Sequence, residues 1–472
     1  MSRINTNVSS LISQRILERN NKSLNTSLQR LSTGLKINTG ADNPAGLIAS
    51  ENLRAEKVGI AQAIDNAERA GNIIGTAEGG LNEVSNLLTE LQTLVTQSAN
   101  VGGLSPEEIA ANQLQVDAIL NTINRIAQST AFQGTKLLNG NYDYTTSSVG
   151  TSAITGLTVN SARVPDGSKV DVVIQVITSA QTGEITYSGG PITGETVTLE
   201  VSGNYGTEQL SFASGTTVSA IATAINGVKT ATGVSASVIG GNLQVNSIGY
   251  GSNQFVGLRA ITGTFSLSTE KDYGRNAEVT VNGAKAETDG LSVQYRSSNL
   301  DIEFDLAEAV NMDGSIKTFA ITGGGATFSL GAKVTEGDKA SIGIQSVSTG
   351  SLGGTKNTDG TLEYLASLAS GGSNSLSSGN LVQAQRIIDK AIKQVSSLRG
   401  RLGAFQKFTI GSTVNALGVA FENASAAESA IRDTDFAKET SEMTRAQILS
   451  QAASTVLAQA NASPQAALQL LR

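Results

Sequence analysis

The chain has 472 residues, room for about three domains, yet aromatics make up only 4% of it, charged residues 15%, and Trp, Cys and His are absent. That composition excludes disulfides, thiol nucleophiles, the usual zinc sites and every histidine-based triad. A net charge of −7 without any Lys/Arg cluster argues against nucleic acid as a partner, and no apolar run reaches the roughly 18 residues that span a bilayer.

Ile4, Val8, Ile12 and Ile16 recur every four residues, and Leu24, Leu28, Leu31 and Leu35 continue the pattern, which predicts a first helix. Gly34 and Gly40 bracket a break, after which Asp42-Asn43-Pro44 supplies a cap and a proline suited to a first helical position. The second helix runs to about Ser98. Its seam is Ile60, Ala67, Ile74, Leu81, Leu88 and Val95, seven apart, with Ile64, Val84 and Leu91 between them. Ser105-Pro106-Glu107-Glu108 reads as a capping box and starts a third helix carrying Ile109, Val116 and Ile123.

After Asn139-Gly140 the period changes to two. Val170, Val172, Ile174 and Val176 alternate, as do Val197, Leu199 and Val201, and Ile302, Phe304 and Leu306. Gly240-Gly241 and Asn282-Gly283 are hairpin turns. One short helix interrupts the strands, with Val218, Ile221, Ala222 and Ile225 on one face behind a Thr216-Thr217 cap. Residues 141–345 therefore read as a largely β insertion, and Gly350 to Gly379 as a Gly/Ser-rich loop with a brief helical turn carrying Leu362, Leu365 and Leu368.

Helical spacing returns near Asn380. Ile388, Val395 and Leu402 interleave with Ala391, Leu398 and Phe405, and a second register follows through Ile410, Leu417, Ala424 and Ile431. A last amphipathic stretch carries Met443, Ala446, Leu449, Ala453, Val456 and Ala460 and is expected to end before Pro464, and the final Leu468, Leu470 and Leu471 are apolar residues that imply a partner. The fold class is α+β: a long antiparallel helical bundle formed by both termini, with a mostly β variable insertion in the middle.

Several blocks resemble bacterial flagellin. They are Ala41-Asp42-Asn43-Pro44-Ala45-Gly46-Leu47, Gln97-Ser98-Ala99-Asn100, Phe132-Gln133-Gly134-Thr135-Lys136-Leu137-Leu138, Arg399-Gly400-Arg401-Leu402-Gly403-Ala404-Phe405-Gln406 and Pro464-Gln465-Ala466-Ala467-Leu468-Gln469-Leu470-Leu471. Ile342-Gly343-Ile344-Gln345-Ser346-Val347 resembles the family's returning strand, and 196–258, centred on Ala224-Ile225-Asn226, a small module of flagellins and hook-associated proteins. Two departures are Lys407, where asparagine is common, and Ile48-Ala49, which reverses a common order.

The resemblance implies a self-assembling filament subunit, exported through the flagellar secretion channel and located outside the cell. It also implies an export chaperone, filament cap and hook-junction proteins as partners. It divides the chain into 1–40 and 436–472 (an inner polymerisation domain), 41–140 and 346–435 (a helical bundle domain), 141–190 (a β segment) and 191–345 (a variable outer β-rich domain with a ββαβ-like module at 196–258). Ile4, Val8, Leu11, Ile12, Ile16, Met443, Leu449, Val456, Leu457, Leu468, Leu470 and Leu471 are the expected polymerisation interface. An isolated amphipathic helix leaves its seam wet, so 1–40 and 436–472 are expected to be largely disordered in the monomer and to fold on assembly.

Some flagellins are detected by an animal innate receptor through the surface corresponding here to Leu88, Leu91, Leu94 and Gln97. Glu90 and Leu114 replace two charges of that pattern, so strong activation is not expected. Some family members carry a zinc peptidase in the insertion, but its motif needs histidines. No Asp-x-Asp-x-Asp-Gly calcium loop is present, and no Gly-Lys-Ser or Gly-Lys-Thr, so catalytic residues, metals and cofactors are all expected to be none. The readings left open beside the filament subunit are a hook–filament junction protein, and an outer domain that also acts as an adhesive or carbohydrate-binding module. Thr145-Thr146-Ser147-Ser148 fits either a glycan acceptor or a plain solvated loop.

Overall fold

The computed structural model describes residues 6–100, 102–150, 152–165, 168–267, 269–357 and 361–469, with the backbone course alone for 463–469. The helices are α1 (Val8–Thr33), α2 (Pro44–Ser98), α3 (Pro106–Ser129), α4 (Val218–Gly227), α5 (Lys229–Thr232), α6 (Leu381–Ala404), α7 (Ser412–Arg432) and α8 (Phe436–Gln469). Antiparallel strands fill the middle of the chain. Two compact units emerge: Met1–Arg69 with Ser329–Lys339 and Phe408–Arg472, and Ala70–Phe328 with Ala340–Lys407.

In the first unit, α1 is capped by Asn7, whose side chain accepts the Ser10 N–H, and stops at Gly34 in the left-handed conformation. Asp42 orders the following turn by accepting the Asn38 and Thr39 N–H groups, and Asn43 caps α2 by accepting from Gly46. The link after α1 is tied to the end of α7 and the link before α8: Lys36 donates to the Arg432 carbonyl at 2.7 Å and Thr434 to that of Gly34 at 2.9 Å. The early part of α2 runs antiparallel to α7, joined by Lys57–Glu428 at 2.6 Å and Arg432–Glu51 at 2.8 Å.

In the second unit, α2 and α6 run antiparallel, with Gln92 beside Asp389 and Arg399 beside Glu78, each 3.2 Å apart. The buried line of α2 follows the expected heptads, and Ala63, Ala70 and Ala77 join Val84 and Leu91 as its second row. Ile64, expected in that row, is only half-buried. Gly80 lets α2 approach its neighbours, because a Cβ there would meet Thr130 Oγ1 at 2.7 Å. The Ser105 capping box is formed on α3, with Glu108 N–H donating to Ser105 Oγ at 3.3 Å and Ser105 N–H to Glu108 Oε2 at 2.7 Å.

Ala384, Ile388, Ala391, Val395, Leu398 and Leu402 make one buried line on α6. Between α6 and α7, Phe405–Gly411 is a π-helix. A π turn adds a residue to the helical repeat, which is why the register steps eight residues from Leu402 to Ile410 and then resumes by sevens. The described residues of the Gly/Ser-rich segment form a loop with short helical turns at Leu365–Leu368 and Leu376–Ser378. Its own Leu352, Leu365, Leu368 and Leu376 are buried, and α3 holds it by side chains: Gln113 donates to the Leu368 carbonyl at 2.9 Å and accepts the Leu376 N–H at 2.7 Å, while Asn124 accepts the Thr349 N–H at 3.0 Å.

The insertion has two hydrophobic cores. One lies around Val172, Ile174, Val279, Ile302, Phe304, Phe319 and Ile321. It draws on a five-stranded sheet ordered Ala284–Lys285, Glu278–Val281, Val170–Thr178, Ile316–Gly324 and Tyr144–Ser147, and on a four-stranded sheet ordered Glu287–Asp289, Ser292–Arg296, Leu300–Leu306 and Ile154–Ala162. The second core joins α4, through Val218, Ile221, Ala222 and Ile225, to Leu199, Val201, Leu243, Val245 and Leu258. Both hairpin turns have the positive φ their sequences require, at Asn282-Gly283 and Gly240-Gly241.

Candidate assembly surface

α1 and α8 form an antiparallel pair whose most deeply buried side chains are small or polar, with half-buried leucines between them. On α1 the buried side chains are Ser10, Ser13, Asn20 and Ser27, with half-buried Leu17, Leu24 and Leu31 interleaved at four- and three-residue steps. On α8 the matching line is Glu439, Met443, Ala446, Ser450, Ala453, Leu457 and Ala460, buried or half-buried. Hydrogen bonds fix the register. Asn7 donates to the Ala460 carbonyl at 2.7 Å, Ser10 to Asn461 Oδ1 at 2.7 Å, Asn20 to the Leu449 carbonyl at 3.1 Å and Ser450 to Asn21 Oδ1 at 2.6 Å, while Arg30 lies 3.6 Å from Glu439. Serine and alanine occupy little volume, so the backbones approach closely enough for these side chains to reach across.

A second set of large aliphatic side chains is left outside. Val8, Leu11, Ile12 and Ile16 are 54%, 58%, 45% and 44% exposed, and Leu449 and Val456 are 45% and 57% exposed. Phe436 and Ile448, which the sequence reading did not single out, are also exposed. Met443 and Leu457, assigned to the outer interface, lie instead along the line that faces α1, because they fall in the four-three repeat with Ala446 and Ala453. Ile4, Leu470 and Leu471 lie outside the described residues, and so does the side chain of Leu468. The polar heptad Ser13-Asn20-Ser27 of that inner line is marked in the sequence only by its seven-residue spacing, because it carries no apolar side chain.

The receptor surface needs correction. Leu88 and Leu91, on the two heptad rows of α2, and Leu94 beside them are buried in the chain's own core, and of the four assigned residues only Gln97 is exposed. Among the described residues, no group of three or more Asp or Glu side chains is placed to hold a metal ion, and no helix is long and apolar enough to cross a membrane.

Comparison with known proteins agrees with this architecture at both ends. The bacterial flagellin N-terminal helical region matches residues 4–143, the bacterial flagellin C-terminal helical region matches 385–471, and the flagellin hook IN motif matches 198–249. Polar flagellin B/D of Vibrio parahaemolyticus is 30% identical, and flagellin B of Vibrio anguillarum 31% identical, each over 99% of this chain and 99% of its own length. The solved structure of FliC from Burkholderia pseudomallei is 16% identical with a TM-score of 0.24, covering 72% of this chain and 99% of that one, a likeness that adds no weight. Helical ends whose bulky side chains stay uncovered are thus found in a chain aligned along nearly its whole length with flagellins, and it belongs to the bacterial flagellin family.

Proposed function

We propose that this chain is the structural subunit of a bacterial flagellar filament, an extracellular fibre for swimming motility, and that copies pack through the outer faces of α1 and α8. The observation that carries the interface is the inversion of the terminal pair: Ser, Asn and Ala are covered within the chain while Val8, Leu11, Ile12, Ile16, Leu449 and Val456 are not. Covering one such side chain is worth about 1.5–3 kcal/mol, so several together supply a large driving force for packing against neighbours. Met443 and Leu457 support the pair from inside. The resemblance further supports export in an unfolded state, with an export chaperone, the filament cap and hook-junction proteins as partners; neither nucleic acid nor membrane insertion enters this reading. No residue is assigned catalysis.

Filament extension from preformed seeds tests the interface. Ile12→Lys and Leu449→Lys should each stop extension while leaving the circular dichroism and melting of the unpolymerised subunit unchanged, because both sites are exposed there. Normal extension by both variants would refute the assignment of these faces.

A further inference from the structure

The second core of the insertion includes a three-stranded sheet ordered Glu184–Tyr187, Asn242–Ser247 and Val234–Ile239, so the last of these is an edge strand. Its register sets Ala236 against Val245 and Val238 against Leu243. In an antiparallel ladder alternate residues turn their N–H and C=O away from the partner, and on an edge strand those groups invite any extended segment to pair. Proteins commonly guard such edges with lysine, proline or a bulge. This edge has no such charge: no Asp, Glu, Lys or Arg occurs between Lys229 and Arg259, and Ser-Ala-Ser-Val-Ile is an uncharged, strand-forming run.

The edge is closed at its centre by one side chain. Asn226, in the last turn of α4, donates from Nδ2 to the Ala236 carbonyl at 2.7 Å and accepts the Ala236 N–H on Oδ1 at 2.9 Å. A carboxamide offers the same donor and acceptor as a peptide group, so Asn226 stands where the main chain of a neighbouring strand would stand. The preceding outward N–H, of Val234, is taken by Thr232 Oγ1 at 3.3 Å. Ile225, buried in the core beneath α4, holds the helix end at this position. Past Ala236 the strand is uncovered, with Val238 42% and Ile239 61% exposed beside the Gly240-Gly241 turn.

We propose that Asn226 is an edge plug: its carboxamide occupies the pairing position of Ala236 and keeps this module from joining, through Val234–Ile239, the same strand of a second copy. A second copy is the relevant partner because antiparallel self-pairing is symmetric and a polymer of this chain repeats the module at high local concentration. A polar plug suits a surface that must stay unpaired there, since removing it exposes an uncharged edge rather than a repulsive one.

The experiment compares the unpolymerised full chain with Asn226→Ala and with Asn226→Ala plus Ser237→Lys, a charge on an exposed site of the same strand. Sedimentation velocity and amide exchange at Ala236 and Val238 are followed over a wide concentration range. In dilute Asn226→Ala the Ala236 amide should exchange about fivefold faster, the equivalent of one lost hydrogen bond. As concentration rises, the variant should self-associate, the Ala236 amide should regain protection and the Val238 amide should gain it. Adding Ser237→Lys should restore the wild-type sedimentation while exchange stays fast, because it repels a second copy without replacing the lost bonds. Association through the terminal helices is common to all three proteins and cancels in the comparison. Two results would overturn the proposal: Asn226→Ala sedimenting like wild type at every concentration, which would leave Asn226 a purely local role, or association that Ser237→Lys does not reverse, which would point to unfolding of the module.

Discussion

Asn20, midway along α1, donates from Nδ2 to the main-chain carbonyl of Leu449 on α8, 3.1 Å away, and Leu449 itself turns its side chain outward. One residue therefore joins the inner line of the terminal pair to the element that carries the outer interface. Asn20→Ala removes a buried hydrogen bond worth about 1 kcal/mol. The critical concentration for polymerisation should rise about fivefold, while melting of the second unit is unchanged. An unaltered critical concentration would show that the α1/α8 register contributes nothing to assembly.

The terminal pair covers few bulky apolar groups by itself, and a helix pair of that kind is marginal without further cover. Amides of α1 and α8 in dilute subunit should exchange near the rate of an unstructured chain and become protected in filaments. Those of Leu81, Leu88, Val395 and Leu398, in the buried lines of α2 and α6, should be protected in both states. Protection of α1 and α8 in dilute protein would contradict the coupling of their folding to assembly.

Asp117 gives a pH dependence of known sign. Burial opposes its charge, but the Ser370 hydroxyl and N–H and the Gln113 side-chain amide donate to the carboxylate, and together they hold its pKa below the usual value. A depressed folded-state pKa contributes stability that is present above the unfolded-state value, about 3.9, and is lost as pH falls through the folded one. Asp117→Asn should lower the melting temperature near pH 7, and the difference from wild type should shrink below about pH 4. Faster exchange of the Ser370 amide in the variant would locate the effect in the Gly/Ser loop.

Gly59 faces the 329–339 segment: a Cβ on it would lie 2.6 Å from the Ala332 carbonyl oxygen, and that neighbour is backbone. Gly→Ala in a helix interior ordinarily stabilises by about 0.5–1 kcal/mol. Gly59→Ala should do the reverse, displacing the segment and exposing 331–338 to limited proteolysis. Gly71→Ala, where a Cβ meets nothing within 4 Å, should show the ordinary gain and serves as the control.

The helical frame was legible because a heptad of large apolar residues has one physical explanation. Ile60 to Val95 and Ile388 to Leu402 are buried as their spacing required, and the step from Leu402 to Ile410 marked the place where the π turn adds its residue. Capping and hairpin chemistry was equally local: Ser105 with Glu108, Thr217 with Ala220, and Asn282-Gly283 act through neighbours a few residues away. The site was read less well. Exposure of Val8, Leu11, Ile12 and Ile16 agrees with an outer interface, but Met443 and Leu457 face inward, and the leucines given to a receptor surface belong to the core.

Residue order by itself determined which long stretches are helical and which are strand-rich, where α2, α3 and α4 start, and the absence of thiol and imidazole chemistry, because propensity, periodicity and capping act over a few residues. Only the tertiary structure decided which face of a terminal helix meets its partner and which polar side chain reaches which backbone. Ser13, Asn20 and Ser27 become a seam only when α8 lies against them, and Asn226 becomes an edge plug only when α4 sets it beside Ala236. Such pairings join groups far apart along the chain, and a local pattern of residues carries no record of what the fold brings next to it.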